Sequence, residues 1–589
     1  MNKFRIFDLI DYSLEKFSDK EDLLAGKDTG KWEKFSARQY KQYSDWVSIG
    51  LMELGIHKGD KIATVSNNRP EWNFIDMGVA QIGAVHAPIY PTITDEDFDY
   101  IFRHSDSVLL IISDKLLYKK LKPIADKIKK IKKVYTFNEV EGAVNWMEIV
   151  ELGKKNYDKR IDELDRIKSE ISSDDLFTLI YTSGTTNNPK GVMLSHWNFT
   201  YQVDKIQHLI DVNEKHTALS FLPICHVFER VVNYALQYLG VGIYYSEGFH
   251  KIADNLAEVR PHIFASVPRI LERFYDKIVA KGEALDSIKK KIFFGALKHA
   301  EKFEFSGKNV FYKAQLSVYD NLVFSQWRKA FGGRVKYVIS GGAALSPRLA
   351  RLFWAAGLPV REGYGLTETA PVICLNNMPP NGIKFGTVGQ RIGDEQEISI
   401  ASDGEVLFRG PNLMTGYYKA PELTKEAIDK DGWFHTGDMG TIDERGFLSI
   451  TGRKKEIFKL SNGKYISPAI IENMFIESNL IEQMMVVGEN EKFAGALISP
   501  NFAMLEVFAK ENSIVYRNNK DLVKHQEVNG LLKKEVIKLN KKLAQYERIN
   551  TFRIVCDEWS PSTGELSPTL KKKRRVIEKK YDHLIKEMF

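Results

Sequence analysis

The chain has 589 residues, 43% hydrophobic and 27% charged, which excludes a disordered polymer and leaves room for several cores. Its 84 basic and 77 acidic residues give a formal charge of +7 spread over the whole length, which suits an enzyme of anionic substrates and is too diffuse to predict a nucleic-acid face. Cys225, Cys374 and Cys556 lie far apart with no CxxC pair, so neither a disulfide framework nor a zinc site is expected, and a reducing, cytoplasmic setting is.

In chain order, the opening MNKFRIFDLIDYSLEKF carries Asp8 and Asp11 where a secretory leader needs an unbroken apolar run, so none is expected. KIATVS (61–66) predicts a strand, Pro70 opens a helix ending near Gly83, and AVHAPIY (84–90) predicts the next strand. VLLIIS, a Lys-rich helix and KVYTF repeat the rhythm, as do ALSFLP, ERVVNYALQYLG and VGIYYS. Strand, helix, strand at this spacing needs crossover connections, hence layers of helices on largely parallel sheets.

No run of about 18 apolar residues is present to span a bilayer. The most apolar stretch, Val231 to Tyr245, is broken by Asn233 and Gln237 and reads as a core helix followed by a strand. Asn198-Phe199-Thr200 matches a glycosylation sequon, read here as chance. Residues 271–330 are Lys-rich and aromatic with little β signal, which predicts a helical insertion. Within it, SIKKKIFFGALKHAEKF (287–303) is basic and amphipathic. It reads first as a surface helix with an apolar core face, and second as a weak contact with the inner face of a membrane. After residue 450 Gly-rich turns lead into a smaller α+β unit, with strands near 482–488 and 493–500 and a charged helix around 520–548.

The motif YTSGTTNNPKGVMLSH (181–196) follows the strand-like LFTLIY (176–181). Aligned on Gly184, a Walker A template puts Pro189 at its second Gly and Gly191 after Lys190, so the template fails. A Gly/Ser/Thr turn can still form an anion-binding concavity from backbone N–H groups. Hydroxyls of Thr182, Ser183, Thr185 and Thr186 add donors, and Lys190 adds a mobile charge.

REGYGLTETAP (361–371), HTGDMG (435–440), TGRKKEIFK (451–459) and the tail SPSTGELSPTLKKKRRVIEKKY follow in order. Together with the loop they resemble the adenylate-forming family of acyl-CoA synthetases, peptide-synthetase adenylation domains and luciferases, over nearly the whole chain. The resemblance implies an α/β fold, with a large N-terminal domain over 1–452 and a small mobile α+β lid over 453–589. It implies two half-reactions: a carboxylate attacks the α-phosphate of ATP to give acyl-adenylate and pyrophosphate, and a thiol such as coenzyme A then displaces AMP.

Roles follow from the same resemblance. The loop from Thr182 through Gly184 to Lys190 would hold the β- and γ-phosphates, with Asn187 where relatives usually have Gly. Gly342 and Ala343 of SGGAAL would line the adenine pocket. In the run Glu362, Gly363, Tyr364, Gly365, Tyr364 would stack on adenine. Thr367 would touch the α-phosphate, and Glu368, with Thr182, would help hold Mg²⁺. Asp438 would accept from the ribose hydroxyls, Arg453 would sit beside the same ribose, Lys455 would be the hinge and Lys459 a further ATP contact. Lys571 would be the catalytic ammonium that brings carboxylate and α-phosphate together, although Leu570 stands where relatives often have Gly. Lys572 and Lys573 read as solvated.

FLPICHVFERVVNY (221–234) and VRPHIFASVPRILERFYDKI (259–278) resemble the long-chain fatty acyl branch, placing His226 near the substrate carboxylate. Arg230 falls where one bacterial-type relative has a Trp gate, so that gate is not carried over. A long-chain fatty acid–CoA ligase is therefore expected, with a carrier-protein ligase or a peptide-synthetase adenylation domain as the enzyme alternative. A catalytically dead nucleotide-binding scaffold is the alternative of another class. Fatty acid and CoA are the expected partners, without nucleic acid; oligomeric state stays open.

Overall fold

The computed structural model describes residues 3–27, 30–182, 188–561, 563–567 and 570–589. Among these, two large sheets carry the first part of the chain. One has eight strands, in the order Gly416–Tyr417, Lys190–Ser195, Leu176–Thr182, Val85–Ile89, Lys61–Val65, Ser107–Ile112, Lys133–Thr136 and Val144–Asn145. From Leu176–Thr182 onward its pairings are parallel; the two strands on the other side are antiparallel. The other has nine strands, with parallel pairing from Leu24–Gly26 across to Val360–Gly365. Parallel strands buried on both faces read as continuous apolar runs. Lys61–Val65 and Val85–Ile89 are of that kind, and the helix between them, Pro70–Gln81, has Pro at its first turn.

A third, antiparallel sheet of four strands (Glu397–Ile400, Glu405–Arg409, Phe434–Ile442, Leu448–Arg453) was not expected from sequence. Beyond Arg453 a short 3₁₀ turn, Lys454–Glu456, leads to a ribbon and a three-stranded sheet, Ile481–Val487, Ala494–Pro500 and Ile549–Ile554, with the helix Gln526–Asn540. The hydrophobic cores divide at the same place. One gathers residues from Ile6 to Leu448, and another gathers residues from Phe458 to Ile549.

Residues 268–330 form the helices Pro268–Glu283, Ser287–Ala300, Val310–Tyr319 and Ser325–Ala330. In the second of these Phe293, Ala296, Leu297 and Ala300 are buried, so its apolar face is taken up by the core. No described helix is long and apolar enough to cross a membrane. Asn198 is buried in a capping box with Ser195 and donates to the carbonyls of Pro411 and Leu413 at 2.9 and 3.0 Å, which agrees with a chance sequon.

Candidate active site

The central motif lies on the strand Val360–Gly365, which ends in a bulge against Val372–Leu375. A Cβ on Gly365 would sit 1.7 Å from the Pro371 carbonyl oxygen, so only glycine fits there. The chain then turns through the 3₁₀ segment Thr367–Thr369, which holds Glu368. That turn is pinned: Thr369 Oγ1 donates to the Pro371 carbonyl at 2.6 Å, and Asn412 Nδ2 donates to the Thr369 carbonyl at 2.6 Å.

Tyr364, Asp438 and Arg453 form one cluster. Asp438 and Arg453 are cross-strand partners on Phe434–Ile442 and Leu448–Arg453, so strand register alone sets them side by side. The Arg453 Nε lies 2.8 Å from Asp438 Oδ1, and the Tyr364 hydroxyl donates to Asp438 Oδ2 at 2.7 Å. Lys571 joins this group from the C-terminal unit. Desolvation by the surrounding protein first, then the charge of Arg453, lowers the pKa of its ammonium, while Asp438 and Glu368 oppose that shift. A cation near Asp438, Glu368 and Arg453 is placed for an anionic ligand.

Thr182 and Lys190 are cross-strand partners at the mouth of the hairpin Leu176–Thr182/Lys190–Ser195. Ser183, Gly184, Thr185, Thr186 and Asn187, between them, lie outside the described residues. Lys190 Nζ stands 4.7 Å over the ring of Tyr417, whose hydroxyl donates to Glu368 Oε1 at 2.9 Å. Tyr417 therefore joins the loop lysine to the motif carboxylate. It was missed from sequence because only the pairing of Gly416–Tyr417 with Val192 and Met193 brings it there.

Gly342, at φ +83°, lies in the loop after the strand Tyr337–Ser340, with Ala343 exposed beside it. Glu362 accepts from the Leu345 N–H at 3.4 Å and so faces this loop from behind; burial pushes its carboxyl up to about 8. Gly363 is in strand, and Thr367 is buried.

His226 caps the helix Val227–Tyr238, its Nδ1 accepting from the Phe228 N–H at 3.2 Å. Burial, and secondarily the charge of Lys571, pushes the imidazole down to about 3, so it is neutral at pH 7 with its proton on Nε2. With Leu222, Phe228, Val267, Ile270 and Lys571 it lines a small apolar cavity of about 20 Å³, room for about one water. Arg230, one turn on, points into the core instead. It is fully buried, ion-paired with Asp76, and donates to Thr178 Oγ1 and the Tyr234 hydroxyl, each at 2.7 Å.

One expectation is corrected. Lys572 is not a solvated tail residue: its ammonium binds the buried carboxylate of Glu472 and donates to the Met484 carbonyl at 2.8 Å. Lys459, in the ribbon Phe458–Lys459/Tyr465–Ile466, is exposed with its ammonium 5.7 Å over the Tyr465 ring. Lys455 lies in the 3₁₀ turn immediately after Arg453.

Residues 10–418 match the family model of AMP-binding enzymes, and residues 455–589 match that of the AMP-binding enzyme C-terminal domain. The long-chain-fatty-acid–CoA ligase FadD15 of Mycobacterium bovis is 32% identical over 94% of this chain and 92% of its own length. Human long-chain-fatty-acid–CoA ligase 1 is 30% identical over 95% of this chain and 82% of its own. Among solved structures, the A domain of the carboxylic acid reductase of Segniliparus rugosus, in complex with AMP and a co-purified carboxylic acid, superposes with a TM-score of 0.75 at 20% identity, covering 100% of this chain and 94% of that one. A fatty acyl CoA synthetase of Mycobacterium tuberculosis does so with a TM-score of 0.61 at 21% identity, over 98% and 99% of the two chains. The chain belongs to the adenylate-forming, AMP-binding enzyme family.

Proposed function

We propose that the protein is an AMP-forming long-chain fatty acid–CoA ligase, which activates its acid with ATP and passes the acyl group to coenzyme A. The observation that carries this reading is the meeting of an apolar lining with an ammonium: Lys571 lines the small cavity with His226 and its charge is coupled to those of Asp438, Glu368 and Arg453. The acid presents its carboxylate to Lys571, and a nucleotide whose ribose is held by Asp438 and Arg453 presents its α-phosphate to the same ammonium. Two anions that repel each other are thereby held together, and charge that develops as the carboxylate oxygen attacks phosphorus is met by a preorganised cation. Pyrophosphate leaves toward Lys190 and the loop after Thr182. Neutral His226 offers an Nε2–H to the carboxylate without adding charge to the cavity.

The donor set suits Mg²⁺ that arrives on the nucleotide. Among the described residues no group of three or more His, Cys, Asp or Glu could hold a metal by itself, whereas one carboxylate, Glu368, beside phosphate oxygens is how this cation is usually bound. When bound it neutralises charge on the phosphates. Gly342, Ala343 and Tyr364 form the adenine side, and Lys455 is the pivot about which the C-terminal unit turns for thioester formation.

The test is to offer ATP, Mg²⁺ and acids from acetate to oleate, with CoA or carrier protein as acceptor, and to score AMP release. Release that needs a long-chain acid and CoA is the expected result. Release only with carrier protein favours the carrier-protein alternative, and no release with any acid overturns the enzyme reading.

A further inference from the structure

The helical insertion turns an apolar face to the solvent. Asn309 starts its third helix by accepting from the Tyr312 N–H at 2.9 Å, and Val310–Tyr319 runs on through the π turn Asp320–Phe324 into Ser325–Ala330. Val323, Phe324 and Trp327 anchor the far half in the core, but no residue of Val310–Tyr319 is buried. Its inner side packs on the helix Ser287–Ala300: the Tyr312 ring stacks on His299 at 4.1 Å, and the Tyr312 hydroxyl donates to the His299 carbonyl at 3.2 Å. A different face carries Phe311, Val318 and Leu322, which are 85%, 55% and 58% exposed. Their spacing of seven and four residues sets them in one stripe. Single exposed apolar side chains are ordinary, whereas an aligned set of them marks a contact surface.

The surroundings of this stripe are basic. Residues 287–324 hold seven lysines against three acids, and the acids are taken up within the protein: Glu301 pairs with Arg348, Glu304 with Arg351 and Asp320 with Arg328. Lys289 and Lys290 pair with Asp286 and Glu283, whereas among the described residues Lys291, Lys298, Lys302 and Lys313 form no ion pair. We propose that this face, Phe311, Val318 and Leu322 with the uncompensated lysines, docks on an anionic lipid surface. The apolar side chains enter the boundary between headgroups and acyl chains, while the ammonium groups stay level with the lipid phosphates. The inserted element is the third helix of the insertion, because the second has its apolar face in the core. A second copy of the chain is the poorer occupant, since it would set two lysine-rich surfaces against each other. The proposal stands on this surface alone and does not depend on the ligase reading.

The experiment is cosedimentation of the whole chain with vesicles of phosphatidylcholine, or of phosphatidylcholine mixed with phosphatidylglycerol, at low and high salt. The parent is expected to sediment with the mixed vesicles, and far less with phosphatidylcholine alone or at high salt, which screens exposed charges. The triple variant Phe311→Ser, Val318→Ser, Leu322→Ser is expected to lower the partition coefficient about tenfold or more without lowering the melting temperature, because the side chains removed are exposed. The double variant Lys302→Gln, Lys313→Gln is expected to lower it severalfold and to flatten its salt dependence. Leu116→Ser is the control: this leucine is 82% exposed on the separate Lys-rich helix Lys115–Ala125, and its loss is expected to leave binding as in the parent. A parent that stays in the supernatant with the mixed vesicles overturns the proposal, as does a Leu116→Ser loss equal to that of the triple variant. A double lysine variant that binds as the parent does overturns it too, whatever the triple variant's stability. So does a dimer in sedimentation velocity that Phe311→Ser abolishes, because it gives the face to a second copy.

Discussion

Glu368 is the carboxylate proposed above to meet Mg²⁺, and its partner Tyr417 makes a sharp comparison possible. The Tyr417 hydroxyl holds Glu368 Oε1 at 2.9 Å, so the phenol orients the carboxylate without being able to replace its charge. Glu368→Gln is expected to raise the Mg²⁺ concentration for half-maximal adenylation by about tenfold or more with little loss of melting temperature, and Tyr417→Phe to do the same by a smaller factor. A Mg²⁺ titration of adenylate formation checks both; unchanged titrations would remove the metal from Glu368. The adjacent lysines give a second comparison, because their environments differ in kind. Lys571 faces Asp438 and Glu368, whereas Lys572 faces Glu472. Lys571→Ala is expected to lower adenylation about a hundredfold while still converting supplied acyl-AMP and CoA, whereas Lys572→Ala is expected to lower stability first. Separate half-reaction rates and thermal melts distinguish them.

At the level of elements, Glu472 shows how the tail is tied to the C-terminal unit. It lies on the helix Pro468–Phe475 and accepts from the Val486 N–H at 2.8 Å, from Arg574 Nη1 at 2.7 Å and from Lys572. Despite burial, the charges of Arg574 and Lys572 bring its pKa down to about 2, below the ordinary carboxylate value of about 4.5. A depressed folded-state pKa means stabilisation that is complete above about pH 4.5 and lost as pH falls through about 2. Glu472→Gln is expected to cost about 3 kcal/mol at pH 7, since it leaves two partly buried cations without their anion, and the deficit is expected to shrink below about pH 4.5. Denaturant unfolding of parent and variant at pH 7 and pH 3.5 measures both.

Elements also differ in how readable they were. Lys61–Val65, Val85–Ile89 and Ser107–Ile112 announced themselves because strands buried on both faces leave unbroken apolar runs. Glu397–Ile400 and its neighbours did not, because partly exposed antiparallel strands mix polar and apolar residues. The motif residues were legible where one backbone position admits one residue, as at Gly365. Tyr417 was not, since its position depends on strand pairing that no local pattern encodes.

For the whole molecule, the two units meet across ionic and polar contacts, Arg269 with Glu482 and Ser346 Oγ with Glu477 Oε1 at 2.7 Å, in the arrangement that brings Lys571 to the cluster. Lys455 already lies in a 3₁₀ turn, whose φ is close to the value proline imposes. Lys455→Pro is therefore expected to preserve this arrangement and adenylate formation, and to slow thioester formation from acyl-AMP about tenfold or more by obstructing rotation about that residue. Equal losses in both half-reactions would place the pivot elsewhere. The two sides of the small apolar cavity are also built with different latitude. His226 belongs to a helix whose next turn is held by the fully buried Arg230 and Asp76, and breaking such a pair costs about 3–5 kcal/mol. Phe249, opposite, stands 53% exposed on the short turn Phe249–Lys251. Descendants of this sequence can therefore remodel the Phe249 rim at little cost to folding, while drift on the His226 side is held back by the folding of the whole domain.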